Sequence, residues 1–345
     1  MAATAIGATG GSQPVSTQSP ALATHHGQAV TGRTMKLEFR ICISPKPEFY
    51  STVRLAAMSL RKLGPPYDSA RILVSVGDYA DLESIRSANR WSEAFPVQWR
   101  TVSHEKFREF SSLATDHDRF IEPSDADVVI MCDSDLCPVE RIDDLIGRIG
   151  ESGRFAIAGL QAHFTPFHKD AAGNEVAWRR IFAAAGLGEP RLSVQYSNDT
   201  ADVMGRAPPY FNFGFVLFRR EAFAAIAPIY ESYVRITREA TEPGFFFQTQ
   251  IGLSLAIAAA KVDIELLSHA YNCANDDGPF AAPEAFRLKS PDEISVIHYL
   301  RKNEMDRRSF LANRSFYKAF LAAPNLNRVN ARLRDHVLEL GKLCW

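Results

Sequence analysis

Short apolar runs alternate with stretches of helical spacing along much of this chain, and this alternation predicts its elements. Apolar runs at residues 37–43, 71–76 and 97–100 predict strands. Between them, residues 49–62 and 81–91 carry apolar side chains three and four positions apart, which is typical of amphipathic helices. Alternating strands and helices favour a parallel sheet with helices on its faces.

The run at residues 128–132 is the most continuous of these strands, because five apolar residues follow one another without a polar break. Such a run indicates a strand that is covered on both faces, and we place it at the centre of the sheet. Asp133, Ser134 and Asp135 follow it directly, and we interpret Pro138 as the end of strand pairing. Ligands of open α/β sheets bind at the carboxyl ends of the strands, so both acids are expected at a binding edge.

Two carboxylates with this spacing can share one hard divalent cation and leave its other coordination positions to substrate phosphates. The alternative is a structural turn, because Asp-Ser-Asp is a common turn sequence whose side chains bond nearby backbone groups. We favour the cation site, since unpaired acids beside an apolar sheet are costly unless a cation or hydrogen-bond donors compensate them. His298, at the end of a strand predicted at 294–299, is either a third ligand or an ordinary core residue.

Other polar residues interrupt apolar elements later in the chain. Asn212 and Gly214 lie inside a strand predicted at 208–218, where a glycine often marks the close approach of a ligand or another backbone. Local bonding to the backbone explains Asn212 equally well. Gln248 and Gln250 stand at the start of a strongly apolar helix, from which they can face a ligand.

The remaining patterns complete the main domain. Helices are predicted at residues 107–120, 142–149, 221–238 and 251–260, and strands at 155–159 and 262–267. Residues 160–209 form a long insertion with one helix predicted at 176–185. Insertions of this length are usually functional or disordered, and we expect this one to cover a substrate.

The composition is that of a globular protein, since 46% of the 345 residues are hydrophobic. A formal net charge of -1 provides no general attraction for nucleic acid, so we predict no nucleic-acid partner. The five cysteines include no CxxC pair, which favours reduced thiols in a cytoplasmic protein. No apolar segment of the sequence is long enough to span a membrane.

These patterns divide the chain into three parts. Residues 1–34 are rich in small and polar residues, which predicts a disordered tail. Residues 35–305 form the main domain, and residues 306–345 form an extension with helices at 310–322 and 329–343. We expect the apolar face of this extension to pack on the main domain. Its many basic residues support a weaker hypothesis, a peripheral contact with a membrane surface.

In order and spacing, four motifs between residues 36 and 298 resemble those of nucleotide-sugar glycosyltransferases with the GT-A fold. The likeness is greatest to glycosyltransferase family eight, the galactosyltransferase and glycogenin-like family. The motifs are a first strand and helix carrying Phe49-Tyr50, Asp118-Arg119-Phe120 before the Asp-x-Asp strand, Tyr210-Phe211-Asn212-Phe213-Gly214, and Gln248-x-Gln250 with the late Ile297-His298-Tyr299.

This resemblance implies an α/β protein with a mixed, mostly parallel, Rossmann-like sheet flanked by helices. It implies a divalent cation, Mn²⁺ or Mg²⁺, bound by Asp133, Asp135 and His298. It also implies that Asn212 and Gln250 bond donor or acceptor hydroxyls at the catalytic centre. The residues implied to bind the donor are Ser44, Tyr50, Asp78, Arg119, Ser134 and Lys302.

The activity that the resemblance implies is transfer of a sugar from a nucleoside-diphosphate donor, with a UDP-sugar favoured. The acceptor is a hydroxyl of a glycan, of a lipid-linked sugar or of another molecule. We favour retention of the anomeric configuration, because Gln248 stands where the family has an acid. Glu242, Asp199 or Asp202 are the alternatives that would supply a base for inversion.

Departures from the family's pattern keep other functions open. The family's acidic loop after the first strand is here Ser-Pro-Lys-Pro-Glu at 44–48, and the segment after His298 lacks the family's Gly, Pro and Trp. One alternative is a non-catalytic protein that binds sugar nucleotides or acts as a scaffold on a degenerate transferase fold. A second is a sugar-phosphate nucleotidyltransferase, although the loop at 44–50 lacks the glycines that it needs. A haloacid-dehalogenase-type phosphatase would need Gly-Asp after Asp133, whereas Gly77-Asp78 precedes it.

Overall fold

The computed structural model describes residues 35–150, 155–167, 170–242, 245–302, 305 and 309–341. Residues from Met35 onward form one compact unit that includes the C-terminal helices. The tail predicted at 1–34 lies outside the described residues, and the domain boundary at 305 stays a prediction.

The bounds of the regular elements agree with most of the predicted ones to within a few residues. The strands are β1 (Leu37–Ile43), β2 (Arg71–Val76), β3 (Val97–Thr101), β4 (Val128–Asp133), β5 (Leu136–Pro138), β6 (Ile157–Gln161), β7 (Val194–Gln195), β8 (Arg206–Ala207), β9 (Phe211–Arg219), β10 (Ile264–Leu266), β11 (Cys273–Ala274) and β12 (Val296–His298). The helices are α1 (Pro47–Leu63), α2 (Leu82–Ala88), α3 (His104–Phe110), α4 (Ala114–Ile121), α5 (Asp143–Gly150), α6 (Ala171–Ala184), α7 (Arg220–Ala240), α8 (Gln248–Ala260), α9 (Gly278–Ala281), α10 (Ser309–Ala312), α11 (Arg314–Ala322) and α12 (Arg328–Glu339). Short 3₁₀ segments lie at Arg90–Ala94, Ser111–Leu113, His269–Tyr271 and Pro291–Glu293.

The central sheet has seven strands in the order β10-β6-β9-β4-β1-β2-β3. Neighbouring strands are parallel except for β9, which runs antiparallel to both β4 and β6. The predicted mixed, mostly parallel sheet is therefore confirmed. β4 is covered on both faces, because Val128 and Ile130 pack into one core and Val129 and Met131 into the other.

A second sheet, in the order β11-β12-β5, continues from the carboxyl end of β4. β5 pairs antiparallel with β12, so that His298 faces Leu136 and Val296 faces Pro138. Strand pairing ends at Pro138, as interpreted from the sequence, but the pattern does not predict the short strand β5 before it. Pro138 is the last residue of a short strand, where a missing N–H is tolerated. This strand is what brings β12 to the acids.

Two other predicted elements differ from the structure. The helix predicted at 107–120 is divided into α3 and α4, because Ser111 has a positive φ (+56°) that an α-helix does not allow. The insertion at 160–209 is more regular than a simple loop, since α6 and the paired β7 and β8 enclose a core around Trp178 and Tyr196. Its role in covering a substrate stays a prediction.

The C-terminal helices bury their apolar faces on α1 and the second sheet. Phe310, Leu333 and Val337 lie in one core with Leu55 of α1 and Ile297 of β12. Burying such side chains stabilises a fold by about 1.5–3 kcal/mol each. The segment that contains these helices therefore stabilises the sheet that carries His298.

Two basic residues of α12 are paired with acids of the main domain. Arg328 pairs with Asp277 and Arg332 with Glu140, each at 3.0 Å. Such pairing reduces the positive charge that an anionic surface would meet. Across the described residues, no helix combines the length and the apolar character needed to cross a bilayer. A peripheral membrane contact stays a prediction, and Leu343, also expected to pack, lies outside the described residues.

Candidate active site

The candidate site lies where β4 ends and β5 begins. Asp133 is the last residue of β4, and Asp135 is the residue before β5. Pairing of β5 with β12 sets His298 opposite Leu136, and the Tyr299 N–H donates to the carbonyl of Asp135 (3.0 Å). The register of this short antiparallel pair therefore determines that the imidazole meets the two acids.

Three predicted cation ligands come together here. His298 Nε2 lies 3.2 Å from Asp135 Oδ1 and 3.7 Å from Asp133 Oδ2. One ligand atom from each residue lies within 4.8 Å of the others, and we call this group the acid–histidine cluster. Two carboxylate oxygens and one imidazole nitrogen form a donor set that suits a divalent cation such as Mn²⁺.

The acid–histidine cluster is partly shielded from solvent. The side chains of Asp133, Asp135 and His298 are 37%, 16% and 6% exposed. Desolvation raises the pKa of Asp133. The neighbouring His298 and Arg119 oppose this rise, whereas the charge of Asp135 adds to it. Two neighbouring acids in this setting are stabilised by added positive charge, so the residues present fit a divalent cation.

Arg119 of α4 lies beside Asp133 with its side chain only 1% exposed. Its Nη2 pairs with Asp116 Oδ1 at 2.7 Å, and its Nη1 is 3.9 Å from Asp133 Oδ1. Burial lowers the pKa of the guanidinium, but Cys42, Asp116 and Asp133 raise it by more, so its pKa is raised overall and the charge is kept. Arg119 therefore supports Asp133 from within the protein.

Thr249 connects the first turn of α8 to the same charges. Its hydroxyl donates to Asp116 Oδ2 at 3.0 Å, and Asp116 in turn pairs with Arg119. Gln250 is the next residue and is half-buried, whereas Gln248 is buried. The start of α8 is thus tied to the acid–histidine cluster through Asp116 and Arg119.

Gly214 of β9 lies against His298 on its other side, and Asn212 is connected to His298 through Asn272. Asn212 Oδ1 accepts from the Gly214 N–H (2.8 Å) and from Asn272 Nδ2 (3.1 Å). Asn272 Oδ1 lies 2.8 Å from His298 Nδ1. A Cβ on Gly214 would lie 2.5 Å from His298 Cε1, so the close approach that the glycine predicts is made by the imidazole ring.

Two of the predicted donor-binding residues follow β1, which pairs with β4, and β2, which pairs with β1. Ser44 follows β1 and is half-buried, and Asp78 follows β2 and is exposed, with a φ of +59°. Because β1 is parallel to both β2 and β4, these residues lie at the same edge of the sheet as Asp133. Tyr50 lies on α1, and its ring packs edge-on against Trp99 with centroids 5.7 Å apart.

The other two predicted donor-binding residues flank the acid–histidine cluster along the chain. Ser134 is buried between the two acids, and its carbonyl accepts from the Tyr299 hydroxyl at 3.5 Å. Lys302 is exposed, four positions after His298. The contacts described for these residues are with the protein, and their roles toward a donor stay predictions.

Two buried histidines connect the insertion to the segment before β11. His163 Nδ1 is 2.9 Å from Ser197 Oγ, and His269 Nε2 is 3.4 Å from the Ser197 carbonyl. The two rings stack with their centroids 5.4 Å apart. Burial lowers the pKa of His163 to about 3 and that of His269 to about 4, so both rings are neutral at physiological pH.

Two acids considered as bases have structural contacts within the insertion. Asp199 is buried and accepts two backbone N–H groups at 3.0 and 2.8 Å. Asp202 pairs with Arg206 at 2.7 Å. Glu242, the third candidate, is exposed. Asp199 therefore organises its own loop.

Three residues of this region are not identified by the sequence pattern: Asp116, Thr249 and Asn272. Thr249 and Asn272 join the site through hydrogen bonds to residues that are distant in sequence. Asp116 precedes Arg119 by three positions on α4, and that helical spacing is the one signal that could identify it.

The mixed, mostly parallel seven-stranded sheet flanked by helices has the architecture of the GT-A fold. The structure is similar to that of the galactosyltransferase LgtC in complex with donor and acceptor sugar analogs, with a TM-score of 0.52, 14% identity and coverage of 89% of this chain and 97% of that chain. An active-site mutant of LgtC gives the same values. At this identity the likeness establishes the fold, which confirms the predicted GT-A fold class.

A second solved structure is less similar, and two sequence comparisons found no match. The apo form of mouse xyloside xylosyltransferase 1 gives a TM-score of 0.47 at 13% identity, covering 79% of this chain and 100% of that chain. No family model matches the sequence, and no curated protein matches it.

Proposed function

We propose that this protein is a glycosyltransferase that uses a divalent cation, Mn²⁺ or Mg²⁺, and a nucleoside-diphosphate sugar, with a UDP-sugar favoured. The observation that carries the proposal is the acid–histidine cluster. Its histidine is 163 positions from Asp135 in sequence, yet the two side chains converge at the edge where α/β folds bind their ligands.

The roles of the chain's own residues follow from their positions. Asp133, Asp135 and His298 would hold the cation, which would neutralise the charge that develops on the departing nucleoside diphosphate. Arg119 would keep Asp133 ionised and in place, since its guanidinium lies 3.9 Å from that carboxylate. Lys302, exposed after His298, would add positive charge beside the diphosphate.

A sugar donor and a carbohydrate acceptor are supported by the fold. LgtC, a galactosyltransferase with this fold, was solved with donor and acceptor sugar analogs. In this chain, Asn212 and Gln250 are proposed to bond hydroxyls of the two sugars. Ser44, Ser134, Asp78 and Tyr50 are proposed to bind the donor. A glycan or a lipid-linked sugar would supply the acceptor hydroxyl.

Retention of the anomeric configuration is the favoured outcome. An inverting transferase needs a carboxylate base for the acceptor hydroxyl. Asp199 already accepts two backbone N–H groups, and Asp202 is paired with Arg206, which supports a transfer without either of them as base. Glu242 is then the acid to replace in a test for inversion.

Turnover of nucleoside-diphosphate sugars tests the proposal. Purified protein is incubated with a panel of donors, a carbohydrate acceptor and Mn²⁺, and release of the nucleoside diphosphate is measured. We expect turnover with a UDP-sugar, loss of turnover in EDTA and its return with added Mn²⁺. The anomeric configuration of the product, read by ¹H NMR, tests retention.

The matched variants separate the site from the rest of the protein. Asp133→Asn combined with Asp135→Asn should lower turnover by on the order of 10³-fold. Asp144→Asn, at an exposed position of α5, should leave turnover unchanged. Turnover that survives the loss of both acids contradicts the proposed site.

Two further measurements, of UDP-sugar binding and of nucleotide-sugar formation, separate the alternatives. Binding of a UDP-sugar without turnover of any donor would favour a sugar-nucleotide-binding or scaffold protein. Formation of a nucleotide sugar from a sugar phosphate and a nucleoside triphosphate would favour a nucleotidyltransferase.

A further inference from the structure

A chain of hydrogen bonds connects the backbone of β9 to the side of His298 that faces away from the acids. The Gly214 N–H donates to Asn212 Oδ1 at 2.8 Å, and Asn272 Nδ2 donates to the same oxygen at 3.1 Å. Asn272 Oδ1 then lies 2.8 Å from His298 Nδ1. Asn272 is 1% exposed, so water competes little for these groups.

The donor-to-acceptor direction of these hydrogen bonds is fixed at Gly214, because a backbone N–H can only donate. The Asn212 atom beside Gly214 must therefore be the amide oxygen. Because that oxygen accepts, Asn272 presents its NH₂ group to it, and the other end of the Asn272 amide is an oxygen. An amide oxygen can only accept, so the proton of the last bond sits on His298 Nδ1.

We propose that Asn212 and Asn272 are positioning residues that set the tautomer of His298 and prepare its Nε2 for a cation. When Nδ1 carries the proton, the lone pair of a neutral imidazole is on Nε2. Nε2 is the atom that faces Asp135 Oδ1 at 3.2 Å and Asp133 Oδ2 at 3.7 Å. Ligating histidines are commonly fixed in this way by a partner on their other nitrogen.

The reverse arrangement conflicts with the same distances. A proton on Nε2 would leave Nδ1 as an acceptor 2.8 Å from the Asn272 oxygen, which is also an acceptor. Rotating both amides would remove that conflict but would set the Asn212 NH₂ group 2.8 Å from the Gly214 N–H, where two donors meet. Each alternative leaves a buried group without a proper partner.

Gly214 supports the arrangement sterically. A Cβ there would lie 2.6 Å from His298 Nδ1 and 2.8 Å from Asn212 Oδ1. The Asn-x-Gly segment of β9 therefore both orders the amides and makes room for the ring. The inference rests on the proposed cation site and adds to it the residues that orient its histidine.

Histidine ¹⁵N NMR of the cation-free protein, above neutral pH, tests the tautomer directly. The ¹⁵N shifts of a neutral imidazole distinguish Nδ1–H from Nε2–H, and His298→Gln identifies the His298 signals among those of the nine histidines. We expect Nδ1–H in the wild type, its loss in Asn272→Leu, and its retention in Asn212→Asp, whose carboxylate accepts the same two bonds. A wild-type His298 with its proton on Nε2 overturns the proposal.

Cation affinity is the second readout. Mn²⁺ binding, measured by EPR of the free ion, should weaken by about 10- to 100-fold in Asn272→Leu. It should weaken in Asn212→Leu but not in the matched Asn212→Asp, whose carboxylate accepts the same two bonds and adds negative charge. Urea denaturation establishes that each variant is folded. Wild-type affinity in a folded Asn272→Leu protein overturns the proposal.

The two readouts also distinguish this inference from the proposed function. A wild type that binds no Mn²⁺ but shows the Nδ1–H tautomer, lost in Asn272→Leu, supports the tautomer assignment and contradicts the cation-dependent activity. A wild type that transfers sugar with Mn²⁺, while Asn272→Leu keeps both the tautomer and the affinity, contradicts the inference and supports the activity.

Discussion

His298 and Asp135 meet because His298 pairs with Leu136, the residue after Asp135, across a short antiparallel pair of strands. His298 of β12 faces Leu136 of β5, and its Nε2 reaches 3.2 Å from Asp135 Oδ1. The local sequence of neither residue brings this about. The cluster therefore depends on the small second sheet as much as on the central strand that carries Asp133.

Replacing His298 with glutamine should remove most of the thermal stabilisation that Mn²⁺ gives. A ligand at a hundredfold its dissociation constant stabilises the folded state by about 2.7 kcal/mol, and the loss of one ligand weakens that binding. Differential scanning fluorimetry with and without Mn²⁺ measures the change in Tm. Asp144→Asn is the control and should keep the full shift; a His298→Gln protein with the wild-type shift contradicts the prediction.

Replacing Gly214 with alanine should displace the His298 ring and weaken Mn²⁺ binding by about tenfold or more. The added Cβ would lie 2.5 Å from His298 Cε1, closer than real contacts allow. Isothermal titration with Mn²⁺ measures the effect. Gly147→Ala is the matched control, because no heavy atom lies within 4 Å of its added Cβ, and a helix-interior alanine should stabilise the protein by about 0.5–1 kcal/mol. Equal Mn²⁺ affinity in the two variants would contradict the packing described for His298.

Replacing Arg119 with methionine should lower the free energy of unfolding by about 3–5 kcal/mol, because it leaves Asp116 and Asp133 without their buried cation. Urea denaturation measures this loss. Asp116→Asn should lower the free energy of unfolding by less than Arg119→Met does. The variant with both substitutions should show a coupling of about 0.5–3 kcal/mol between the two residues. A loss below about 1 kcal/mol for Arg119→Met would show that the pair is not held as the 2.7 Å distance indicates.

Acid should destabilise the protein through His163 and His269. Their pKa values of about 3 and about 4 lie below the 6.5 of an ordinary histidine, because burial opposes their protonation; His269, His298 and Arg301 lower the pKa of His163 further. Between the folded-state pKa values and 6.5, the unfolded chain binds more protons than the folded protein. The free energy of unfolding therefore rises with pH in this range. The stability is complete above pH 6.5 and is lost progressively as the pH falls toward the folded-state values.

The pH dependence is measured by urea denaturation at intervals between about pH 5 and pH 7.5. Each buried histidine contributes a slope of at most about 1.4 kcal/mol per pH unit. His269→Phe keeps an aromatic ring beside His163 and removes one titrating group, so its slope should be smaller than that of the wild type. An unchanged slope in a folded His269→Phe protein would contradict the assignment.

The central sheet is predictable from the sequence because its strands leave long apolar runs. The continuous run of β4 indicates a strand with two covered faces, and the structure has cores on both. The reversed direction of β9 is not predictable, because a run of apolar residues has the same pattern in either direction. β5 has only three residues, too few for a pattern, which is why the sequence does not predict this strand.

The acid–histidine cluster is predictable in its members, because Asp133, Asp135 and His298 are polar residues at the ends of apolar runs. Its supporting residues are not. Asn272 is 60 positions from Asn212 and Thr249 is 133 positions from Asp116, and hydrogen bonds over such separations leave no periodic signal. Tyr50 matches a motif of the family that the sequence resembles, yet its ring packs on Trp99, because a motif gives the position of a residue but not the direction of its side chain.

His298 of β12 follows Asp135 in the chain by 163 positions, so it is synthesised later than both acids. When Asp133 and Asp135 emerge from the ribosome, the strand that sets an imidazole opposite them has not yet been made. The acid–histidine cluster therefore forms only after β12 has been synthesised and has paired with β5.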